Sequence, residues 1–446
     1  MSAAGTSFIA AVTLHWTGGL ASGSFYIPYK GVRKWSWETY WLLGGIFSWL
    51  VAPTVFAWLL VPNVWHIVFS AKPSVFWLTY LFGVLWGFGG LTFGLTMRYL
   101  GVGLGMAVAL SYCAAVGTLV PPIFLDHQGG QLISTGWGLM TLVGVAICLL
   151  GIAVAGLAGV AKETELSAEV KKASVAEFSF FKGIVIATFS GIMSACFNFA
   201  LDRGQPITDA AKQAHFLATG HHSDLWAGLP TLIVILWGGL TTNFVWCVFL
   251  HLKNKSAHEY LASTAREDEN RLVTAVDGPG YTQPAQAQRP NGDRVPLTRN
   301  YIFCAMAGTL WYLQFFFYTA GQNFMPSDLK FSGWTLHMAS IIIFATIWGI
   351  ILHEWRGTSR ITHALITLGI IILVFSTIVV GLGSYLQAKA KPKPTPTKAA
   401  LLIPKQPAGG HLTVDIHNAV YAVSPALGPH SSPALLNPQT YTRPRL

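Results

Sequence analysis

The sequence predicts an all-α polytopic membrane protein, with ten transmembrane helices arranged as two inverted five-helix repeats. Three observations predict it. Of 446 residues, 52% are hydrophobic and only 10% are charged, against about 25% charged in ordinary soluble domains. Ten stretches close to the roughly 20 residues that a hydrocarbon core demands contain no Asp, Glu, Lys or Arg. Short motifs then recur at corresponding positions of the first five and the last five stretches. This composition argues against a water-soluble enzyme.

The first five spans run over Thr6 to Tyr29, Trp41 to Leu60, Val75 to Leu95, Gly103 to Phe124 and Trp137 to Leu157. The second five run over Gly183 to Leu201, Gly228 to Leu250, Tyr301 to Ala320, Trp334 to Leu352 and Ala364 to Tyr385. The first span has no Lys or Arg before it and carries His15, so it reads as a retained helix rather than a cleaved signal. Loops after odd-numbered spans up to the ninth hold 17 Lys+Arg, and those after even-numbered spans up to the eighth hold 4. Positive charge marks the cytoplasmic side, which predicts an N-terminus outside. Seven Lys+Arg after span 10 conflict with the exterior C-terminus that ten spans require.

Residues 1–160 form the first repeat, 161–182 a cytoplasmic linker and 183–388 the second repeat. A polar insertion at about 253–299 interrupts the second repeat, and 389–446 form a Pro/Lys-rich tail with ten of the 23 prolines. Insertion and tail both read as disordered. The net charge of +10 and pI near 9.4 do not imply a nucleic-acid partner, because the basic residues are scattered between apolar runs. Cys113, Cys148, Cys196, Cys247 and Cys304 all lie in apolar runs without metal-ligand spacing and read as small buried hydrophobes. His215, His221 and His222 read as a solvated loop rather than a metal site. No phosphate-binding loop supports ATP-driven transport, and no cofactor is expected apart from a coupling proton.

The repeat rests on two matches. Gly19 to Phe25 in span 1 parallels Gly191 to Phe197 in span 6, and Gly-x-Leu-Trp occurs at Gly83 to Trp86 and at Gly308 to Trp311. A five-helix unit enters the membrane inverted on its second occurrence. Such repeats build secondary transporters with a site near the midplane.

Polar groups inside a bilayer are costly unless they face a cavity or a partner. His15, Gly19, Ser22 and Tyr26 share one face of span 1, and Gly191, Ser194, Asn198 and Asp202 one face of span 6. Helix packing through small residues is the competing explanation. In span 8, Trp311, Phe315, Tyr318 and Gln322 share a face with Gln314 beside it. Aromatic rings next to amides suit a sugar, which has apolar C–H faces and a hydroxyl rim. Trp86 and Phe93 are the corresponding residues of span 3. With no carboxylate inside a span, the proton-coupling candidates are His15, His337 and the end-of-span acids Asp202, Glu38 and Glu354. Histidine enters because its ordinary pKa, about 6.5, is easily tuned through physiological pH. The loop Lys30 to Glu38, with Trp35 and Trp37, reads as a headgroup anchor, as does Arg98.

KWSWETYW (Lys34 to Trp41), GLTMRYLG (Gly94 to Gly101), LWYLQFFFY (Leu310 to Tyr318), LHM (Leu336 to Met338) and HEW (His353 to Trp355) resemble the L-rhamnose/proton symporter family. That family is placed in the drug/metabolite transporter superfamily. The resemblance implies a drug/metabolite transporter-like fold in the bacterial inner membrane and uptake of a 6-deoxyhexose with protons. It differs at Gly89-Gly90-Leu91-Thr92, where a more polar turn is expected, and in the long 253–299 loop and the tail. An exporter or exchanger of another metabolite, and a non-transporting membrane scaffold or sensor, are the alternative readings.

Overall fold

Helices dominate because lipid offers the backbone no hydrogen-bond partner, so each buried segment must satisfy its own peptide groups. The computed structural model describes residues 3–100, 102–125, 129–165, 180–220, 225–264, 294–325, 329–352, 355 and 357–390. In chain order the first half contains α1 (Ala3–Ser24), α2 (Tyr26–Tyr29), α3 (Trp37–Ile46), α4 (Ala52–Leu60), α5 (Val64–Phe69), α6 (Pro73–Leu100), α7 (Val102–Val120), α8 (Gly129–Ser134) and α9 (Gly136–Glu165). The second half contains α10 (Phe180–Arg203), α11 (Gln205–Thr219), α12 (Leu229–Asn254), α13 (Leu297–Gln322), α14 (Ser332–Ile351) and α15 (Arg360–Ala390). No strand occurs among the described residues; an isolated bridge joins Thr264 and Arg294.

Among the described residues, eight helices are long and apolar enough to cross a membrane: Trp37–Leu60, Pro73–Thr96, Gly136–Lys162, Phe181–Arg203, Leu229–Asn254, Leu297–Gln322, Ser332–Ile351 and Arg360–Gln387. The remaining two expected spans coincide with α1 and α7, the latter continuing as a shorter apolar helix, Val108–Phe124. Large apolar side chains such as Trp58, Phe69, Trp77, Phe181 and Ile378 are exposed on outer helix faces. On a soluble protein such a surface would aggregate; here it is the lipid-facing side of a multi-pass membrane protein.

Two helices change winding. Between α3 and α4, Phe47–Val51 form a π-helical turn, and Pro121–Leu125 form another after α7. Pro53 and the Pro121–Pro122 pair lack amide donors, so the i to i−4 ladder cannot run evenly through either place.

The main contacts join helices of different halves. α9 packs along α15, α6 lies between α10 and α12, α7 meets α10, and α1 meets α13 and α14. The α3–α4 segment packs on α12 and α13.

The loop after span 1 is not a simple headgroup anchor. Trp35 is buried, its ring edge-on to Tyr301 at 5.2 Å and to Tyr260 at 6.1 Å. Asn300 accepts from the Arg33 amide at 3.0 Å and donates to the Arg33 carbonyl at 2.8 Å. Glu259 Oε2 accepts from the Ser36 amide (2.6 Å), Ser36 Oγ (2.7 Å) and Thr39 Oγ1 (2.8 Å), capping the start of α3. Glu38 Oε1 accepts from Asn254 Nδ2 (3.0 Å) and Ser256 Oγ (2.5 Å). The ends of the polar insertion are thus ordered by carboxylates buried against the first loop. A helical turn, Ala257–Tyr260, and a hydrogen bond from the Val295 amide to the Ser263 carbonyl at 2.8 Å complete them. Residues 265–293 and 391–446, on which the other expectations of disorder fall, lie outside the described residues. So do Glu354, His221, His222 and the side chain of Arg98. His215 lies on α11 rather than in a loop.

Candidate functional site

Four helices, α1, α10, α13 and α14, bring polar side chains to one buried place, and α7 adds backbone carbonyls. His15 on α1 and His337 on α14 have no solvent exposure, and their rings lie 6.4 Å apart. Tyr318 on α13 sits between them, 5.1 Å from His15 and 5.0 Å from His337. Its hydroxyl donates to Asn198 Oδ1 at 3.1 Å and accepts from Gln322 Nε2 at 2.5 Å. Asn198 Nδ2 in turn donates to the Gly117 carbonyl at 2.7 Å, tying α10 to α7. Trp334 donates its indole N–H to the Cys113 carbonyl at 3.1 Å and closes the other side of Tyr318, edge-on at 5.7 Å.

Backbone approach sets the histidine rings. A Cβ at Gly321 would stand 3.1 Å from His15 Nε2, and one at Gly18 3.3 Å from His337 Cε1. Ser340 Oγ donates to the His337 carbonyl at 2.7 Å and the His15 carbonyl at 3.1 Å, pinning α1 to α14.

All four imidazole nitrogens, Gln314 Nε2 and Gln322 Oε1 are buried without a hydrogen-bond partner. Buried polar atoms are normally paired, so this cluster is unsatisfied by the protein alone. It can accept a proton on a ring nitrogen or hydrogen-bond a neutral polar ligand. Two imidazolium charges 6.4 Å apart would repel by ~2.6 kcal/mol at an effective dielectric of about 20, which disfavours protonation of both rings together.

The sequence-predicted residues divide into groups. His15, His337, Tyr318 and Asn198 meet as described, and Gln314 is buried one turn along α13 from Tyr318. Trp311 faces elsewhere: its ring lies 4.3 Å from Phe25 and 6.0 Å from Phe315. Trp86 joins the aromatic wall through Phe197 at 5.2 Å and Phe315 at 5.4 Å. Tyr26 is buried against Phe25 at 4.0 Å, and Ser22 is buried one turn before it on α1. Asp202 lies at the last turn of α10, its side chain one-third exposed and 3.7 Å from Arg203. Phe93 belongs to a separate apolar cluster with Ala109 and Ala187. Sequence reasoning missed Trp334 and Ser340, whose only signal is their place three residues before and after His337. Gly89 is a packing position: a Cβ there would meet Ser194 of α10 at 2.5 Å, which accounts for the absence of a larger polar residue.

The sequence profile described as L-rhamnose-proton symport protein matches residues 4–268 and 293–385. The chain belongs to that family. An L-rhamnose-proton symporter of Yersinia pestis (strain Pestoides F) is 33% identical over 377 residues, 84% of this chain and 98% of the relative. One from Pectobacterium atrosepticum is 33% identical over 369 residues, 83% and 96% of the two chains. The family match includes every residue of the histidine cluster and leaves out 269–292 and all residues after 385.

Proposed function

We propose that the chain is a secondary transporter of the bacterial cytoplasmic membrane that imports L-rhamnose or a related 6-deoxyhexose together with protons. The observation that carries this reading is the buried His15/Tyr318/His337 cluster, with four imidazole nitrogens left unpaired by the protein. Membership of a family whose curated relatives are named as rhamnose-proton symporters supports the substrate and the coupling ion. In this mechanism His15 or His337 takes a proton from outside. The sugar then supplies hydroxyls to the unpaired groups, and the proton and the sugar leave together on the cytoplasmic side. With no carboxylate within hydrogen-bond reach of either ring among the described residues, a bound sugar oxygen is the natural partner for imidazolium.

Alternating access follows from ten helices in two inverted repeats, the drug/metabolite transporter arrangement. Helix pairing supports it. Exchanging each helix of one half for its counterpart in the other turns the α1–α14 contact into α10–α7, α1–α13 into α10–α6, and α6–α12 into α13–α3, and all of these occur. The duplicated glycines behave in the same way. A Cβ at Gly83 would press on the Ile235 carbonyl of α12, and one at Gly308 on the Gly44 carbonyl of α3. Gly19 abuts Ser340 of α14, and Gly191 abuts the Ala109 carbonyl of α7. Rocking of one half on the other about these close contacts exposes the cluster to either side.

The test is uptake of radiolabelled L-rhamnose into proteoliposomes with and without an imposed inward proton gradient. Gradient-stimulated uptake is expected. Uptake indifferent to the gradient would remove the symport, and no uptake of any deoxyhexose would remove the substrate.

A further inference from the structure

A second polar junction between the two halves lies at the opposite end of the bundle from the histidine cluster. Asn300, at the start of α13, grips the Arg33 backbone, whereas Tyr318 stands eighteen residues, about 27 Å of helix, further along the same helix. His337 lies in the second turn of α14, which begins where α13 has ended.

Two carboxylates cross this junction in opposite directions. Glu38, on α3 of the first half, accepts from Asn254 Nδ2 and Ser256 Oγ at the end of α12 in the second half. Glu259, just after α12, accepts from the Ser36 amide, Ser36 Oγ and Thr39 Oγ1 of the first half. Both glutamates are buried, 4% and 6% exposed. A relay extends from the first of them. The single hydroxyl hydrogen of Ser256 goes to Glu38, so His251 Nδ1 carries a proton and donates it to Ser256 Oγ at 2.8 Å. The neutral ring accepts at Nε2 from the Tyr260 hydroxyl at 3.0 Å. Beneath these bonds lies an apolar plug of Phe25, Tyr29, Trp35, Val295 and Cys304, with Trp311 packed against it. Phe25 and Trp311, 4.3 Å apart, continue it toward the histidine cluster.

The chemistry of this seal differs from that of a permanent contact. A buried charge adds little stability over a well-packed apolar replacement, so a static joint has no need of two. Hydrogen bonds to a carboxylate are strong and directional while the joint is closed, and water replaces every donor when it opens. We infer that Glu38 and Glu259 form a reciprocal latch that seals the release side of the transporter and parts in each cycle to let sugar and proton out. The inference rests on the proposed sugar transport by two rocking halves and deepens it by naming the contact that has to break. The loops that hold the latch follow spans 1 and 7, which their Lys and Arg content assigns to the cytoplasm.

The experiment uses the full chain in proteoliposomes. Ser36→Cys with Glu259→Cys places two thiols across the latch, to be bridged without sugar by a short bis-methanethiosulfonate reagent. Gradient-driven L-rhamnose uptake should run before bridging, stop after it and return on reduction, and it should survive a monofunctional reagent of the same chemistry. Uptake that continues in the bridged chain overturns the latch, leaves sugar transport standing and makes the two glutamates a static brace for the polar insertion. The native chain supplies a second measurement, independent of how the double variant folds. Cys304, which has no solvent exposure in the closed state, should react severalfold faster with a membrane-impermeant maleimide during gradient-driven uptake than without sugar, the labelled peptide being identified by mass spectrometry. Thr39→Val, which keeps the side-chain shape and removes one of three donors to Glu259, should raise the sugar-free labelling rate about tenfold. Labelling of Cys304 that neither sugar nor Thr39→Val changes also overturns the latch. A native chain that takes up no deoxyhexose under the gradient overturns the transport reading and the latch with it.

Discussion

Removing the Tyr318 hydroxyl tests the internal wiring of the cluster. Tyr318→Phe keeps the ring between His15 and His337 but deletes a donor to Asn198 Oδ1 at 3.1 Å and an acceptor for Gln322 Nε2 at 2.5 Å. Each orphaned group, by the soluble-protein scale, costs about 1–3 kcal/mol. Cycles in membrane proteins average nearer ~0.6 kcal/mol per interhelical bond, because the unfolded chain in lipid also finds partners. Two bonds, at about 0.6–3 kcal/mol each, therefore predict a destabilisation of about 1–6 kcal/mol. The cleaner quantity is the double-mutant cycle of Tyr318→Phe with Asn198→Ala, whose coupling isolates the α13–α10 bond. A coupling of about 0.6–1.5 kcal/mol is expected, read from denaturant unfolding in mixed micelles. Additive effects, with a coupling within about 0.3 kcal/mol of zero, would refute the assigned hydrogen bond and the claim that Asn198 is held by Tyr318.

Further outcomes follow from the same geometry. Gly321→Ala, whose new methyl would stand 3.1 Å from His15 Nε2 and 3.3 Å from the Ala11 carbonyl, should displace the imidazole and cut gradient-driven uptake severalfold while membrane insertion, checked by expression and gel filtration, stays normal. Glu259→Gln should lower the melting temperature, because three hydrogen bonds to one buried carboxylate oxygen lose their charge assistance, each bond being worth about 1.5–3 kcal/mol when charged. Hydrogen bonds from Ser359 and Thr362 hold Glu165, outside the membrane span, below its ordinary carboxylate value of 4.5. Its contribution is therefore complete above that value and is lost as pH falls through the lowered one. Limited proteolysis near Ser359 should accelerate on acidification in the native chain, and Glu165→Gln should remove that dependence.

The bilayer made the spans legible, since any helix crossing it must be free of unpaired charge, and the limits of charge-free runs fall close to the helices of the structure. Winding was legible only through Pro53 and the Pro121–Pro122 pair, whose missing donors mark where the ladder is interrupted. Nothing in the composition of Phe47–Val51 announces a π-turn, because a change of hydrogen-bond register leaves no mark in hydropathy. The polar stripe of span 1 drew attention to His15, which the structure buries beside Tyr318 and His337, but its partner could not be read. His337 reaches it only because α1 lies on α14, a contact between helices more than 300 residues apart in sequence. Trp311 and Tyr318 share a face of α13, as their spacing implies, yet that face serves two places, since seven residues of helix carry it past Phe315. Trp35 and Trp37 resembled a headgroup anchor because Trp is common there, and the Tyr260 and Tyr301 rings that bury Trp35, like the Glu259 carboxylate that holds the neighbouring Ser36 amide, lie more than 200 residues later without a local signature.

The central claim is that the His15–His337 pair carries the proton that drives sugar entry. The most direct measurement is alkalinisation of the external medium when L-rhamnose is added to de-energised proteoliposomes, compared among the native chain, His15→Gln and His337→Gln. The native chain should take up protons with the sugar, and at least one variant should lose the pH change while still exchanging labelled for unlabelled rhamnose across the membrane. Proton uptake that persists in both variants and in the double variant would contradict it.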